Sequence, residues 1–144
     1  DNCLPINLKK QKNYLEAIIN KKTHKFSLPL DLNIFFSKII EELFSFSLSF
    51  KNISYFPYQR LIINDFEKKT LLSDIQNIIL LSLFRKQEGM DKYELYSLIW
   101  RNDKDLSMNK LDTHLTNLKN QIQNELKIDF SFHSHNKILK LIIN

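Results

Sequence analysis

The hydrophobic and polar positions of this chain repeat with a helical period most clearly over residues 91–122. The second half of this stretch has apolar residues three and four positions apart, and these fall within roughly 60° of each other on a helix: Leu111, Leu115, Leu118 and Ile122. Polar residues fall on the opposite side: Asn109, Lys110, Thr113, Thr116, Asn117 and Asn120. The pattern predicts two amphipathic helices joined by a short polar loop, the second running from Ser107 to about residue 125.

The residues before this helix pair predict a small antiparallel sheet followed by another helix. Strand-like segments occupy residues 53–56, 60–63 and 67–70. Ser73 and Gln76 have the spacing of a capping box, and the helix that they open should stop near Gly89. Asp91 and Glu94 have the same spacing and predict the start of the next helix.

The chain ends on a hairpin pattern. Apolar residues alternate at Ile128, Phe130 and Phe132, a polar turn follows at residues 134–137, and residues 138–143 form a last apolar strand. Three helices followed by a hairpin is the element order of a winged helix.

The first 47 residues predict the order strand, helix, strand, helix. The strands are expected at residues 4–8 and 26–28, with a helix at 14–20 between them, and Asp31 should cap a last helix that runs to about residue 46. Apolar residues cover nearly half of that last helix: Phe35, Phe36, Ile39, Ile40, Leu43 and Phe44. This is more than one packing face needs, so we expect both the domain itself and a second subunit to cover the helix.

Composition and charge limit the choice of partner. The chain has 144 residues and a formal charge of +5, which suits one or two small domains with an anionic partner. A lone cysteine, Cys3, excludes an internal disulfide and indicates a reducing compartment, so we expect a cytoplasmic protein. No apolar run approaches the length of a membrane span.

Two segments carry a resemblance to a known family. Residues 91–100, DKYELYSLIW, follow the pattern S-R-E-E-L-L-x-x-V-W. Residues 106–122 follow V-S-x-x-x-V-D-x-H-I-x-x-L-R-x-K-L without a gap, including Asp112 and His114. Residues 48–144 therefore resemble the DNA-binding domain of OmpR/PhoB-type bacterial response regulators. The resemblance implies an α+β winged helix-turn-helix with an N-terminal antiparallel sheet, three helices and a C-terminal wing.

Residues 1–47 resemble the end of the receiver domain of the same family. Residues 28–32, LPLDL, stand where the family has K-P-F-D-L, so Leu28 replaces the lysine that senses the phosphoryl group, and the phosphoacceptor would lie upstream of residue 1. The resemblance implies a degenerate or truncated receiver-like α/β segment and regulation that is independent of phosphorylation. It also implies a homodimer through the last helix, by way of Phe35, Phe36, Ile39, Ile40 and Leu43.

The resemblance also implies a DNA site. The helix at 107–125 would lie in the major groove and read base edges with Asn109, Thr113, Asn117 and Asn120. Phosphate contacts would come from Lys104, Lys110, Lys119, Lys137, His135 and Trp100. Asparagine pairs with adenine, so the expected target is an A·T-rich promoter in the bacterial nucleoid. The polar loop at 101–106 could contact RNA polymerase, as it does in some relatives.

The same segments leave an alternative open. The family's wing carries glycines and an arginine, whereas residues 133–137 read HSHNK, and the helix at 107–125 has no arginine. The domain could therefore be a protein-interaction module that has weakened or lost DNA binding, with a merely solvated polar helix face. To distinguish the two, we expect a DNA-binding domain to carry Lys104, Lys110, Lys119 and Lys137 on one continuous positive face.

Enzymatic and metal sites are not expected. The chain has no Gly-rich phosphate loop, nucleophile elbow or Cys-rich metal spacing. His133 and His135 could share one strand face, but no carboxylate or cysteine nearby completes a metal set. We expect no cofactor and no small-molecule substrate.

Overall fold

The protein is an α+β fold that divides into two units. The structure, a computed structural model, describes residues 6–101 and 107–144. The units are Asp1–Ser47 and Leu48–Asn144, and each has its own antiparallel sheet and apolar core. Within the described residues, no helix combines the length and the apolar character needed to cross a membrane.

The N-terminal unit is a three-stranded meander followed by one helix. Strands β1 (Ile6–Lys10), β2 (Tyr14–Ile19) and β3 (Lys22–Ser27) pair in chain order, and helix α1 spans Leu32–Ser45. The predicted cap at Asp31 is confirmed, because its carboxylate accepts hydrogen bonds from the backbone N–H groups of residues 33 and 34, at 2.9 and 3.2 Å.

The predicted order strand, helix, strand, helix is wrong for this unit. Residues 14–20 form β2 and its turn, not a helix, because Leu15, Ala17 and Ile19 alternate toward the interior with a period of two. Asn20 and Lys21 both have positive φ, 50° and 62°, and make the tight turn into β3. The predicted strand at 4–8 lies partly outside the described residues. An antiparallel meander has no counterpart in the receiver-like order that the resemblance implied.

The C-terminal unit begins with a four-stranded antiparallel sheet. Its strands β4 (Leu48–Phe50), β5 (Ile53–Phe56), β6 (Leu61–Asn64) and β7 (Lys69–Leu71) pair in chain order. The three predicted strands are therefore present to within two residues, and β4 precedes them.

Three helices follow the sheet. Helix α2 (Asp74–Arg85) begins with a capping box in which Ser73 and Gln76 make both reciprocal bonds, as predicted. Helix α3 (Lys92–Ile99) is capped by the Asp91 carboxylate. Helix α4 (Met108–Leu126) begins after Ser107, but that side chain makes no capping hydrogen bond.

Gly89 does not end α2, which already stops at Arg85. Its φ is +112°, and a Cβ at this position would lie 2.5 Å from Cγ2 of Ile138. The glycine therefore permits a turn and the close approach of the following strand, β8 (Met90–Asp91), to the C-terminal hairpin.

The C-terminal hairpin consists of β9 (Phe130–His135) and β10 (Ile138–Ile143). Its two-residue turn has positive φ at both Asn136 and Lys137, 47° and 66°. Strand β8 pairs with the other edge of β10, which gives the order β8-β10-β9. The sequence predicted the hairpin but not β8, since two residues carry no periodic signal.

A partly buried amide network fixes the rotation of α4 about its own axis. Nε2 of Gln76 donates to Oε1 of Gln121 at 2.9 Å, and Nε2 of Gln121 donates to Oγ1 of Thr70 at 2.7 Å and to the carbonyl of Leu71 at 2.8 Å. The apolar side of α4 packs into the core as predicted, with Leu111, Leu115, Leu118, Ile122 and also Leu126 buried. The opposite side of α4 is thereby held toward solvent.

Asn64 anchors the C-terminal end of α4. Its Nδ2 donates to the Leu126 carbonyl at 2.8 Å, and its Oδ1 accepts from the backbone N–H groups of Phe66 and Lys68 at 3.0 and 2.9 Å. Because this buried side chain is satisfied at both atoms, it joins the β6–β7 turn to α4 without an unpaired polar group.

Candidate nucleic-acid interface

The outer face of α4 is a neutral strip of hydrogen-bonding groups. Asn109, Thr113, Asn117 and Asn120 are all exposed, as the helical period predicts. The Thr113 hydroxyl donates to the carbonyl of Asn109 at 2.8 Å, so its oxygen remains available to a ligand as an acceptor. The amides of Asn117 and Asn120 have no hydrogen-bond partner among residues 6–101 and 107–144, which leaves their donors and acceptors available to a ligand.

One flank of this strip is built on Trp100 and carries Lys110. The indole is half-buried between Tyr96 and His114, with ring centroids 4.6 and 5.6 Å away. Nζ of Lys110 lies 4.5 Å from the Trp100 ring centroid, within cation–π range. Trp100 and His114 thus join the end of α3 to α4, and Trp100 acts here as a support for a cation.

The other flank is a groove between α4 and the hairpin, and it carries Lys119. The groove has a volume of about 270 Å³ and is lined by Lys92, Asp112, Leu115, Thr116, Lys119, Phe132, Ser134 and Leu139. Nζ of Lys92 pairs with Oδ1 of Asp112 at 2.8 Å, so Lys119 supplies the excess positive charge of the groove.

The two lysines of α4 lie on opposite flanks of the neutral strip. Lys110 and Lys119 are nine positions apart, which is about 180° around a helix of 3.6 residues per turn. They therefore do not form one continuous positive face, and the expectation of such a face is wrong for this pair. They bracket the strip that runs from Asn109 to Asn120.

The hairpin places its predicted phosphate ligands in two directions. Lys137 is at the turn, and its Nζ lies 5.3 Å from the ring centroid of Tyr93. His135 was predicted beside it but belongs to the opposite side of the hairpin from α4, because strand residues alternate: His133, His135 and Lys140 share a hollow with Glu88, whereas Ser134 lines the α4 groove. His135 therefore does not lie with Lys119.

Two further predictions concern the loop at 101–106 and metal binding. Lys104 and most of the 101–106 loop lie outside the described residues. Within the described ranges, no group of three or more potential metal-ligating side chains is brought together.

The sequence did not single out Lys92 and Tyr93, which the structure adds to this surface. The capping pattern placed both in the first turn of α3, but which side of that helix meets α4 and the hairpin depends on tertiary packing. Their pairing with Asp112 and Lys137 therefore had no local signal.

The predicted dimer residues of α1 divide between two sides of the helix. Phe35 is buried, with its ring centroid 5.1 Å from that of Phe26, and Ile39 packs against the same core. These two side chains hold α1 to its own sheet and offer nothing to a second subunit. Phe36 and Ile40 are 55% and 53% exposed, and Leu43 is half-buried.

No protein-family model matches the chain, and no curated protein sequence matches it significantly.

Proposed function

We propose that the C-terminal unit is a winged-helix domain that binds double-stranded DNA, and that the protein regulates transcription through it. The observation that carries the proposal is the neutral, hydrogen-bonding strip of α4 with a lysine on each flank. A major groove has base edges at its floor and a phosphate backbone on each side, about 12 Å apart. A helix with Lys110 on one flank and Lys119 on the other matches this distribution of charge.

The chemistry of the strip favours A·T base pairs. An asparagine amide can donate and accept at the same time, which matches N6 and N7 of adenine, and the Thr113 methyl group suits the methyl group of thymine. Asn109, Asn117 and Asn120 supply three such amides, all exposed on one side. With no arginine on α4, strong bidentate pairing with guanine has no donor there.

The hairpin would act as the wing and hold phosphates. Lys137 lies at its turn against Tyr93. Together with Lys110 and Lys119 this gives three phosphate contacts, so the logarithm of the binding constant should fall with the logarithm of salt concentration with a slope of about −3.

The test is duplex binding by the full chain at several salt concentrations, with A·T-rich and G·C-rich duplexes of equal length. Lys119→Ala should weaken binding to both duplexes alike and reduce the salt slope by about 1. Asn117→Ala should weaken A·T-rich binding by about 1–3 kcal/mol and reduce the preference between duplexes.

Lys68→Ala is the matched control, because Lys68 is an exposed lysine in the β6–β7 turn. Asn64 ties this turn to the Leu126 carbonyl, beyond the strip that ends at Asn120. If wild-type affinity does not depend on salt, or if Lys68→Ala changes binding as much as Lys119→Ala, the proposal is wrong. The protein-interaction alternative would then take its place.

A further inference from the structure

The sheet of the N-terminal unit is covered by α1 on only two of its three strands. Phe35 packs on Phe26 of β3, and Nζ of Lys22 on the same strand donates to Oε2 of the buried Glu42 at 2.8 Å. Ala17 and Ile19 of β2 are fully buried in this interface.

Strand β1 continues the same apolar face beyond the helix. Ile6 pairs with Ile19, and Leu8 pairs with Ala17, and paired residues of neighbouring strands point to the same side of a sheet. Ile6 and Leu8 are nevertheless 42% and 55% exposed, whereas their partners on β2 have no exposed surface. Among the described residues, nothing therefore covers the apolar side of β1.

Helix α1 has a second apolar side that lies next to this open strand. Leu32, Phe36 and Ile40 are 58%, 55% and 53% exposed and fall within about 80° of one another on the helix. Ile34, Lys38 and Glu41 occupy the flank that borders a hollow with residues 23–26 of β3. Since that flank faces the β3 edge, the flank with Leu32, Phe36 and Ile40 faces the β1 edge.

We propose that the β1–α1 trough, made of Ile6, Leu8, Leu32, Phe36 and Ile40, is the surface through which two copies of this chain form a dimer. These five side chains are each about half exposed. The trough thus offers on the order of 500 Å² per copy, or about 1,000 Å² for the pair, which is at the lower limit of what a biological interface buries.

A two-fold axis makes the trough complementary to itself. Within the described residues β1 pairs only with β2, so its other edge presents unpaired backbone groups. Rotation about an axis perpendicular to the sheet places this edge antiparallel to the same edge of a second copy and keeps both α1 helices on one side. The strand edge and the apolar trough are then satisfied by the same partner, which is why a second copy fits better than an unrelated protein.

The test is sedimentation equilibrium of the full chain without DNA, from about 1 to 100 µM. The wild-type chain should be a dimer at the upper end. Ile40→Lys on α1 and Leu8→Lys on β1 should each weaken the dimer about tenfold or more, since each would bury an unpaired charge. Far-UV circular dichroism checks that each variant keeps its secondary structure.

Ile34→Lys is the matched control, because Ile34 is on the same helix and 62% exposed but lies on the opposite flank. This variant should dimerise like the wild type. A wild-type chain that stays monomeric at about 100 µM, or a loss of dimer in Ile34→Lys equal to that in Ile40→Lys, overturns the proposal. Because no DNA is present, neither result bears on DNA binding.

Discussion

Helices α1 and α4 are both amphipathic, yet they turn very different second sides toward solvent. Each packs one apolar side against its own unit. The other side of α4 carries asparagines and threonines between two lysines, whereas α1 exposes Leu32, Phe36 and Ile40. A polar second side needs no cover and can form hydrogen bonds with a ligand. An apolar second side is unfavourable in water, and burying it would stabilise the protein.

The amphipathic period of a helix does not by itself reveal what the helix binds. Both helices would be assigned to a core by their periodicity. The fixed rotation of each helix, set for α4 by the Gln121 amide and for α1 by Phe35, decides which side chains remain outside. Substitutions on the two sides of each helix therefore test which side is buried.

The largest effect is expected on the buried side of α4. Leu118→Ala removes a fully buried side chain and should lower the free energy of unfolding of the C-terminal unit by about 2–5 kcal/mol. Leu98→Ala on α3, where the side chain is 41% exposed, should lower it by much less. Urea denaturation followed by circular dichroism measures both, and equal losses would contradict the orientation of α4.

A smaller effect is expected from the buried carboxylate of α1. The hydrogen bond from Lys22 holds the pKa of Glu42 below its usual value, and His24 and Lys38 act in the same direction. Glu42→Gln should lower the free energy of unfolding of the N-terminal unit by about 1.5–3 kcal/mol at neutral pH.

The contribution of Glu42 to the free energy of unfolding decreases in acid. Since its folded pKa is lowered from 4.5, its contribution to stability is present above the unfolded pKa and is lost as pH falls below about 4.5 toward the folded pKa. The wild type should lose stability across this acid range more steeply than Glu42→Gln. The neighbouring Glu41 side chain is 66% exposed, so Glu41→Gln should keep the steep acid loss of stability of the wild type. If Glu41→Gln flattens this acid loss as much as Glu42→Gln does, the assignment to Glu42 is wrong.

Gln121→Ala should have a comparable or smaller effect, about 1–3 kcal/mol, because it leaves the Thr70 hydroxyl and the Gln76 amide without their partner. The adjacent Asn120→Ala removes an exposed amide from the outer face and should leave stability nearly unchanged. Thermal unfolding of the two variants compares them directly. An equal loss for Asn120→Ala would mean that the outer face is not free of internal contacts.

Local signals explain why the C-terminal unit was predicted more accurately than the N-terminal one. The capping box at Ser73 and the alternation from Phe130 act over a few residues and need no distant partner. In β2, Leu15, Ile18 and Ile19 fit a helical period, while Leu15, Ala17 and Ile19 fit a strand period. Only pairing with β1 and β3 decides between the two.

The candidate site was likewise predictable only in part. The outward position of Asn109, Thr113, Asn117 and Asn120 follows from the helical period. The half-turn between Lys110 and Lys119 follows from their spacing. What lies beside each lysine does not, because Trp100 and the Lys92–Asp112 pair reach α4 through packing between elements.

The smallest stability change is expected at the hairpin turn, where it can be separated from function. Lys137 has a φ of 66°, a conformation that costs about 1 kcal/mol for residues other than glycine, so Lys137→Gly relieves strain. The substitution also removes the contact with Tyr93, worth about 0.5–1 kcal/mol at an exposed site, and it frees the unfolded chain. These terms nearly cancel, so stability should change by less than about 0.5 kcal/mol.

DNA binding should nevertheless respond to Lys137→Gly if the hairpin is the wing. Losing one phosphate contact should weaken binding to every duplex and reduce the salt slope by about 1. Lys51→Gly is the matched control, since Lys51 is also an exposed lysine with positive φ, 48°, in the tight turn between β4 and β5. If the two variants bind DNA equally well, the hairpin turn lies outside the interface, and binding rests on α4 alone.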